Sequence, residues 1–244
     1  MIYSEPVYPR VEDFDFHGQM TPSALLKVFE NVSSHHAYQV GISVMERSLS
    51  GTAWLLTDWR VEILRTPTHK DQLLAETWLF QPHSSSRTSR ELQLKDSAGA
   101  VLARASAKFA LVDLKTNLVA KASPDEAARY QPEEHTVFPN RLPRLRAPAE
   151  FSCETPLALR RSDIDYNGHV HNTAYLDLAL ELVPEELLKE GIRSFRISYR
   201  RPLRYGDPVR LRGARANGGW VTAICCEDAL CALAAFNEQL PPLP

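Results

Sequence analysis

The chain has 244 residues, 44% of them hydrophobic and 24% charged, a balance typical of a globular protein with one large or two smaller domains. Its formal net charge of −2 gives no overall signal for binding to nucleic acid or to a membrane surface. No apolar run reaches membrane-spanning length, and the first residues lack the basic and apolar stretches of a secretion signal, so we expect a cytoplasmic protein.

In the first half of the chain, the sequence predicts a short strand, one long helix and then four antiparallel strands. Thr21 and Pro22 are a typical helix start, and apolar residues follow at helical spacing to about Tyr38. We expect one of the neighbouring His35 and His36 to pack beneath the sheet, since adjacent helical residues point too far apart to share a metal ion. Alternating apolar residues predict strands at 58–63, 73–80, 87–95 and 103–111.

Frequent prolines mark a connection after residue 114, and the same order of elements then begins again. We expect a first domain at residues 1–130, a proline-rich linker at 131–150 and a second domain at 151–244. In the second domain, a short strand at 151–159 precedes a helix marked by Ala174, Leu178 and Leu182 that ends by Pro184. Four strands are predicted at 193–199, 208–214, 220–226 and 230–236.

The four cysteines predict free thiols rather than a metal site or disulfides. They lie in the second domain, at Cys153, Cys225, Cys226 and Cys231. Their spacing is not that of metal ligands, and neighbouring strand residues point to opposite faces. We therefore expect a reducing compartment and neither a metal nor a cofactor.

The elements repeat because short sequence patterns repeat. Residues 13–20 and 163–170 both read Asp, apolar, Asp, aromatic, polar, Gly, polar, apolar, at an offset of 150. Residues 59–71 and 195–207 match in the same order at an offset of 136. The predicted fold class is therefore α+β, with two tandem units that each pack a long helix on a curved antiparallel sheet. A seam between two such helices would suit a long apolar ligand.

The second octet carries the richer chemistry, because Asn167 and His169 stand where the first octet has His17 and Gln19. His169 can transfer protons near neutral pH, Asn167 can donate to a substrate oxygen, and Asp165 can polarise a water or fix the imidazole tautomer. In an extended stretch the three side chains would project to one side. N–H groups at the start of the helix near residue 172 could then hold an oxyanion, which would suit hydrolysis of an acyl bond.

The alternative interpretation of this octet is a capped turn. Asp163 and Asp165 would then bond backbone N–H groups, and His169 would be an ordinary half-buried histidine. We expect the first octet to be such a turn, with His17 in a structural role.

A stretch rich in arginine follows the second octet. Residues 196–215 contain seven arginines and one acid, Asp207. The simpler interpretation is a solvated strand face, and the functional one is a docking patch for an acidic partner or a phosphate-bearing ligand.

Several segments resemble those of one known family. Residues 162–172, with Tyr175, resemble the active-site stretch of the acyl-acyl carrier protein thioesterases of plants and bacteria. Residues 54–71, residues 76–78 and the stretch Tyr199-Arg200-Arg201 resemble further parts of that family, in the same order. The resemblance implies a double hotdog fold and hydrolysis of the thioester between a fatty acyl chain and the carrier's phosphopantetheine arm. By position, it implies an active site at Asp165, Asn167 and His169.

The chain departs from that family at one position of functional importance. In plant members the Tyr-Arg-Arg stretch is followed by a Glu with an assigned catalytic role and a Cys, whereas here Pro202 and Leu203 follow. Proline can neither accept a proton nor activate water. Either Asp165 or His169 activates the water alone, another acid replaces the missing one, or activity is low.

The sequence thus predicts an enzyme that hydrolyses fatty acyl-acyl carrier protein to free fatty acid, which ends fatty acid synthesis. The first half would shape the acyl tunnel and the second half would do the chemistry. The alternatives are an acyl-coenzyme A thioesterase and a non-catalytic protein that binds acyl chains or docks the carrier. The chain is expected to be a monomer or a homodimer. The candidate carrier-binding residues are Arg200, Arg201 and Arg204, together with the rest of residues 196–215 and Arg141, Arg144 and Arg146.

Overall fold

The computed structural model describes residues 1–80, 84–139 and 142–239. The chain divides into two compact units, Met1–Pro139 and Asn140–Pro244. Each unit contains five antiparallel strands and its own helices, as the sequence repeat predicts. Within the described ranges, no helix is both long enough and apolar enough to cross a membrane.

The first unit contains a five-stranded sheet. Its strands are β1 Tyr3–Val7, β2 Thr52–Ile63, β3 Leu73–Leu79, β4 Arg87–Asp96 and β5 Val101–Asp113. All neighbours are antiparallel, in the order β1-β3-β4-β5-β2. The four predicted strands are confirmed, but β2 begins at Thr52 rather than residue 58. A register shift between Leu56 and Asp58 breaks the alternation of apolar residues, so the sequence pattern hides the first part of the strand.

The long helix of the first unit is α1, Pro22–Gln39, and its start is confirmed. The side chain of Thr21 accepts a hydrogen bond from the Ala24 N–H at 3.1 Å, and proline occupies the first turn. The helix packs on β1, β3 and β4. Its fully buried Phe29 stacks on Trp59 of β2, with ring centroids 6.5 Å apart.

One histidine of the adjacent pair is buried, as predicted. His36 is fully buried, and the Arg90 guanidinium donates to its Nδ1 at 3.0 Å. Burial, with the charge of Arg90, lowers the pKa of His36 to about 3, so the imidazole is neutral. His35 lies on the exposed side of the helix and contacts the Glu5 carboxylate at 2.8 Å.

Two short helices of this unit were not predicted, α2 Val44–Leu49 and α3 Pro124–Arg129. The signal for α3 is present in the sequence, because the Ser123 side chain accepts from the Asp125 N–H at 3.2 Å and Pro124 occupies the first turn. Prolines after residue 114 predict a connection, but proline also starts helices, as Pro124 does here.

The second unit repeats this design with a different helix. Its elements are β6 Cys153–Leu157, α4 Ala174–Leu180, α5 Glu185–Glu190, β7 Ser194–Tyr199, β8 Val209–Ala216, β9 Gly219–Cys226 and β10 Ala229–Phe236. The antiparallel strand order is β7-β10-β9-β8-β6. All predicted strands are confirmed, and α4 packs on β9 and β10. The Thr222 hydroxyl of β9 donates to the Ala179 carbonyl at 3.1 Å.

The predicted extent of the second helix is wrong. We expected one helix through Leu182, but α4 ends at Leu180 and α5 begins after Pro184. The residue before a proline is disfavoured in helical geometry, so Val183 cannot continue the helix. The Val183 N–H instead bonds the Leu180 carbonyl at 3.0 Å, which tightens the chain into a turn.

The proline-rich connection is packed against both sheets. In the first unit, Val137 and Phe138 are buried with Trp78, and the Val137 N–H donates to the Glu91 carboxylate at 3.1 Å. In the second unit, Leu145 is buried in a cluster with Val221, Ala223, Cys225, Leu233 and Ala235. Parts of the connection therefore belong to the hydrophobic cores.

Candidate active site

The two octets fold into the same turn. In the first, Asp15 Oδ1 accepts hydrogen bonds from the N–H groups of His17 and Gln19, both at 2.9 Å. In the second, Asp165 Oδ1 accepts from the N–H groups of Asn167 at 2.8 Å and His169 at 3.2 Å. This is the geometry of the capped-turn interpretation, and it applies to both copies.

The glycine of each octet closes the turn. Gly18 and Gly168 adopt φ of +71° and +74°, in the left-handed region that favours glycine. Their N–H groups donate to the carbonyls of Asp15 and Asp165 at 2.9 and 3.0 Å. The glycine is therefore required by the backbone in both copies, independently of any chemistry.

Each turn is held by the downstream repeat. The Met20 N–H donates to the Pro67 carbonyl and the Val170 N–H to the Leu203 carbonyl, both at 2.8 Å. Pro67 and Leu203 are 136 residues apart, which is the offset of the second sequence repeat. The repeat therefore marks equivalent positions in the two units.

The structure corrects the expected projection of the candidate residues. Residues 165–169 form a tight turn rather than an extended stretch, since the Asp165 N–H donates to the His169 carbonyl at 2.7 Å. Asp165 and His169 are half-buried and Asn167 is exposed. In the described part of the chain, no hydrogen bond joins the Asp165 carboxylate to the His169 imidazole. Asp165 therefore shapes the turn instead of fixing the histidine tautomer.

The helix start also differs from the expectation. α4 begins at Ala174 rather than near residue 172, and it has seven residues. The Ala174 N–H donates to the His171 carbonyl at 2.9 Å, and the Thr173 N–H donates to the His171 Nδ1 at 3.4 Å. These two N–H groups are engaged within the turn. The exposed side-chain amide of Asn167, whose contact with Asp165 Oδ2 is long at 3.4 Å, is the more accessible donor.

The two turns differ in what covers them. A methyl group added at Gly18 would lie 2.5 Å from the imidazole ring of His69. The backbone N–H of His69 also donates to the Gly18 carbonyl at 3.2 Å. A methyl group added at Gly168 would meet nothing within 4 Å. The residue equivalent to His69 is the exposed Tyr205, with the Arg161 guanidinium 4.6 Å from its ring centroid. The second turn is therefore open above its glycine, and the first is covered.

Two tyrosines with no role predicted from the sequence brace the second turn. The Tyr175 hydroxyl accepts from the Leu203 N–H at 2.9 Å and donates to the Arg201 carbonyl at 3.5 Å, so it brackets the exposed Pro202. The Tyr199 hydroxyl donates to the Asn172 carbonyl at 2.9 Å. The signal was available, because the equivalent first-half positions hold the apolar residues Leu25 and Ile63.

The candidate carrier-binding arginines do not lie together. Arg200 and Arg201 line a pocket that also includes Arg144 and Arg146, while Arg204 is exposed and does not line it. Arg141 lies outside the described residues. Three other arginines of residues 196–215 are held by acids: Arg196 by Glu238, and Arg210 and Arg212 by Glu154.

Two tandem units, each with a helix packed on an antiparallel sheet and with matching turns before the helices, define an α+β protein of the hotdog type. The chain belongs to the acyl-acyl carrier protein (ACP) thioesterase family. Residues 2–130 match the family model of the acyl-ACP thioesterase N-terminal domain, and residues 147–222 match that of the C-terminal domain.

Known proteins agree with this assignment. The chain is 28% identical over 226 residues to the chloroplastic oleoyl-acyl carrier protein thioesterase of Coriandrum sativum, covering 85% of this chain and 61% of that protein. The chain thus spans about three fifths of the length of the curated relatives it matches. Two solved structures share the fold at 20% identity and 96% coverage of both chains. They are an acyl-ACP thioesterase from Bacteroides thetaiotaomicron, with a TM-score of 0.83, and the 12:0-ACP thioesterase from Umbellularia californica, with a TM-score of 0.84.

Proposed function

We propose that this protein hydrolyses the thioester that joins a fatty acyl chain to ACP, which releases the free fatty acid and ends fatty acid synthesis. The observation that carries the proposal is the second turn. It has the backbone hydrogen bonds of the first turn, but it presents Asn167 and His169 and is open above Gly168. Family membership and the names of the relatives, which are ACP thioesterases and hydrolases, support it.

In the proposed reaction, His169 is the general base. A water oxygen attacks the thioester carbonyl carbon while its proton passes to the imidazole. Negative charge develops on the carbonyl oxygen, to which the Asn167 side-chain amide donates a hydrogen bond. The intermediate collapses with cleavage of the carbon–sulfur bond. The departing thiolate takes the proton from the imidazolium, and the acyl group leaves as the carboxylic acid.

Asp165 has a positioning role in this proposal. Its carboxylate holds the N–H groups of both Asn167 and His169, so it fixes the two residues that would touch the substrate. The equivalent Asp15 makes the same bonds in the first turn, where no catalytic pair follows. The shared bonds favour positioning over proton transfer as the task of this aspartate.

Pro202 favours a second candidate function. It occupies the position at which the resembling plant proteins carry a glutamate, and it offers no group that could activate water. A protein that binds the carrier or the acyl chain without hydrolysis is therefore the alternative. Location in the cytoplasm, a monomeric or dimeric state and an acyl tunnel in the first unit remain predictions of the sequence.

The test is a comparison of substrates with the purified full chain. Acyl-ACP and acyl-coenzyme A with the same acyl chain are supplied across a series from medium to long chains, and released fatty acid is measured. We expect hydrolysis with a higher kcat/KM on acyl-ACP. Equal or better hydrolysis of acyl-coenzyme A would instead identify an acyl-coenzyme A thioesterase. Thermal stabilisation by acyl-ACP without fatty acid release would support the non-catalytic candidate.

A further inference from the structure

The second unit contains an open pocket of about 600 Å³ that combines positive charge with an apolar floor. We call it the arginine pocket. None of its described lining residues is acidic. The residues that matter here are Arg144, Arg146, Arg200 and Arg201, with Leu230 and Leu233.

The linker builds one wall of the arginine pocket. Leu145 is 4% exposed and is inserted into the core, so the flanking Arg144 and Arg146 are exposed on the other side of the strand-like segment. Two hydrogen bonds fix this segment to the sheet. Arg200 Nη2 donates to the Leu145 carbonyl at 3.1 Å, and Arg196 Nη2 donates to the Pro143 carbonyl at 2.6 Å. The backbone that carries the two linker arginines is therefore held in place.

The sequence repeat reveals what is special about Arg201. Its equivalent in the first unit is Arg65, and both residues donate their backbone N–H to a neighbouring strand at 3.1 Å. The Arg65 guanidinium bonds the carboxylates of Asp71 and Asp96 at 2.9 to 3.1 Å. Across residues 1–80, 84–139 and 142–239, no carboxylate lies within 4 Å of the Arg201 guanidinium. The guanidinium charge at this repeated position is thus neutralised by carboxylates in the first unit and is not neutralised in the second.

Arg144 and Arg146 likewise have no carboxylate within 4 Å among the residues that the structure describes. By contrast, the neighbouring Arg196, Arg210 and Arg212 each form an ion pair with a glutamate. The structure therefore divides the arginines that looked like one patch in the sequence. Some stabilise the fold through ion pairs. Among the residues that the structure describes, the charges of Arg144, Arg146 and Arg201 are not neutralised in this way.

The arginine pocket is connected to the candidate active site by a short loop. Arg201 is two residues from Leu203, whose carbonyl accepts from the Val170 N–H at 2.8 Å, and Val170 follows His169. From standard backbone dimensions, the Cα atoms of Arg201 and His169 are no more than about 16 Å apart. A partner held in the pocket could thus deliver an attached flexible arm to the turn.

We propose that the arginine pocket is the docking surface for the carrier protein, and that it takes an acidic amphipathic helix of that partner. This rests on the proposed function for the identity of the partner. Carboxylates of the helix would pair with Arg144, Arg146 and Arg201, and an apolar side chain between them would pack on Leu230 and Leu233. A phosphate group alone would use the arginines but not the leucines, and the open shape suits a protein surface.

The test is charge reversal in the linker wall. The double variant Arg144→Glu/Arg146→Glu is compared with Arg193→Glu/Lys121→Glu, which changes the charge equally at exposed sites outside the pocket. Binding of the carrier with its arm attached is measured by calorimetry at low and at physiological salt. We expect the first variant to weaken binding about tenfold or more, with a flatter salt dependence, and the control to change it less than about twofold.

The outcomes separate this proposal from the proposed function. Wild-type binding that the first variant weakens, with no hydrolysis of acyl-ACP by wild type, would sustain docking and overturn the enzymatic activity. Hydrolysis with equal carrier binding by wild type and the first variant would overturn docking alone. A loss of coenzyme A binding as large as the loss of carrier binding would identify a phosphate site and overturn the docking surface.

Discussion

The two octet turns share a backbone and differ in their surroundings. Asp15 and Asp165 accept the same pair of N–H groups, and each turn is held by a bond of 2.8 Å to the downstream repeat. His69 covers the first turn, while the second is open above Gly168. The aspartate and glycine of the pattern therefore specify a scaffold, and the two polar positions beside the glycine are left to carry chemistry.

The difference extends to the charged residues that follow. Arg65 is bonded to two carboxylates in the first unit, and its equivalent Arg201 lines the arginine pocket. The side chain of Thr68 donates to Asp71 in the first unit, and Arg204 stands at that position in the second. After duplication of a unit, polar groups can stabilise the fold in one copy and remain accessible to a ligand in the other.

The largest effect is expected from removing the imidazole of the open turn. His169→Ala removes the proposed general base, and we expect kcat on acyl-ACP to fall about a hundredfold to ten-thousandfold. His17→Ala removes the imidazole of the covered turn, and kcat should change by less than about twofold. The measurement is release of free fatty acid at saturating substrate, with circular dichroism to check that both variants are folded.

This pair of variants tests whether only the second turn carries catalytic residues. Equal loss of activity in both would mean that the two turns contribute equally, so that the second is not the richer copy. Full activity of His169→Ala would remove the base from the proposed reaction and leave Asp165 as the next candidate for water activation.

A smaller effect should separate the two possible roles of Asp165. Asp165→Asn keeps an oxygen that can accept from Asn167 and His169 but removes the charge, so a positioning residue should lose less than about tenfold in kcat. Asp165→Ala removes the acceptor of two hydrogen bonds, and kcat should fall further as the turn loosens. Asp15→Asn and Asp15→Ala are the matched variants, and they should affect stability but not kcat. A loss in Asp165→Asn as large as that in Asp165→Ala would assign proton transfer to the carboxylate.

Much of the fold could be predicted because it is encoded locally. The octet pattern specifies its turn through an aspartate side chain that reaches N–H groups two and four residues ahead, and through a glycine at positive φ. The start of α1 follows from Thr21 and Pro22. Each of these interactions spans fewer than five residues, so the sequence pattern contains all the partners. The predicted end of α4 near Pro184 is also local, and the error is confined to Leu182, which the apolar spacing places in the helix although the helix ends at Leu180.

The accessibility of the site could not be predicted, because it depends on residues that are distant in sequence. Gly18 is covered by His69, and Arg65 is neutralised by Asp96 across a strand pairing. The arginine pocket exists because Leu145 of the linker enters the core beneath β9 and β10. No local pattern distinguishes Arg201 from Arg65, since both follow an apolar strand and precede an aspartate by six residues.

The smallest expected effect is on stability, and it tests the ion pair between Arg65 and Asp71 of the first unit. The Arg65 guanidinium holds the pKa of Asp71 at about 2, below its usual value of 3.8. A lowered carboxyl pKa adds stability above the unfolded value, and this stability is lost as the pH falls toward the folded value. Asp71→Asn should therefore lower the free energy of unfolding by about 1 to 2 kcal/mol at pH 7, since half-exposed Arg65 is partly screened.

At pH 3, the difference in free energy of unfolding between wild type and Asp71→Asn should be about half of its value at pH 7. At that pH, Asp71 is mostly protonated in the unfolded wild-type chain but not in the folded one. Asp207→Asn is the matched change in the second unit, where the carboxylate accepts from the Arg204 N–H at 2.8 Å and no arginine pairs with it in the described part of the chain. An asparagine can still accept that bond, so the loss should stay below about 0.5 kcal/mol. Urea unfolding of the full chain at pH 7, 5 and 3 measures both variants. An equal loss in the two would mean that Asp207 also has a charge partner in solution, and the two units would then not differ at this position.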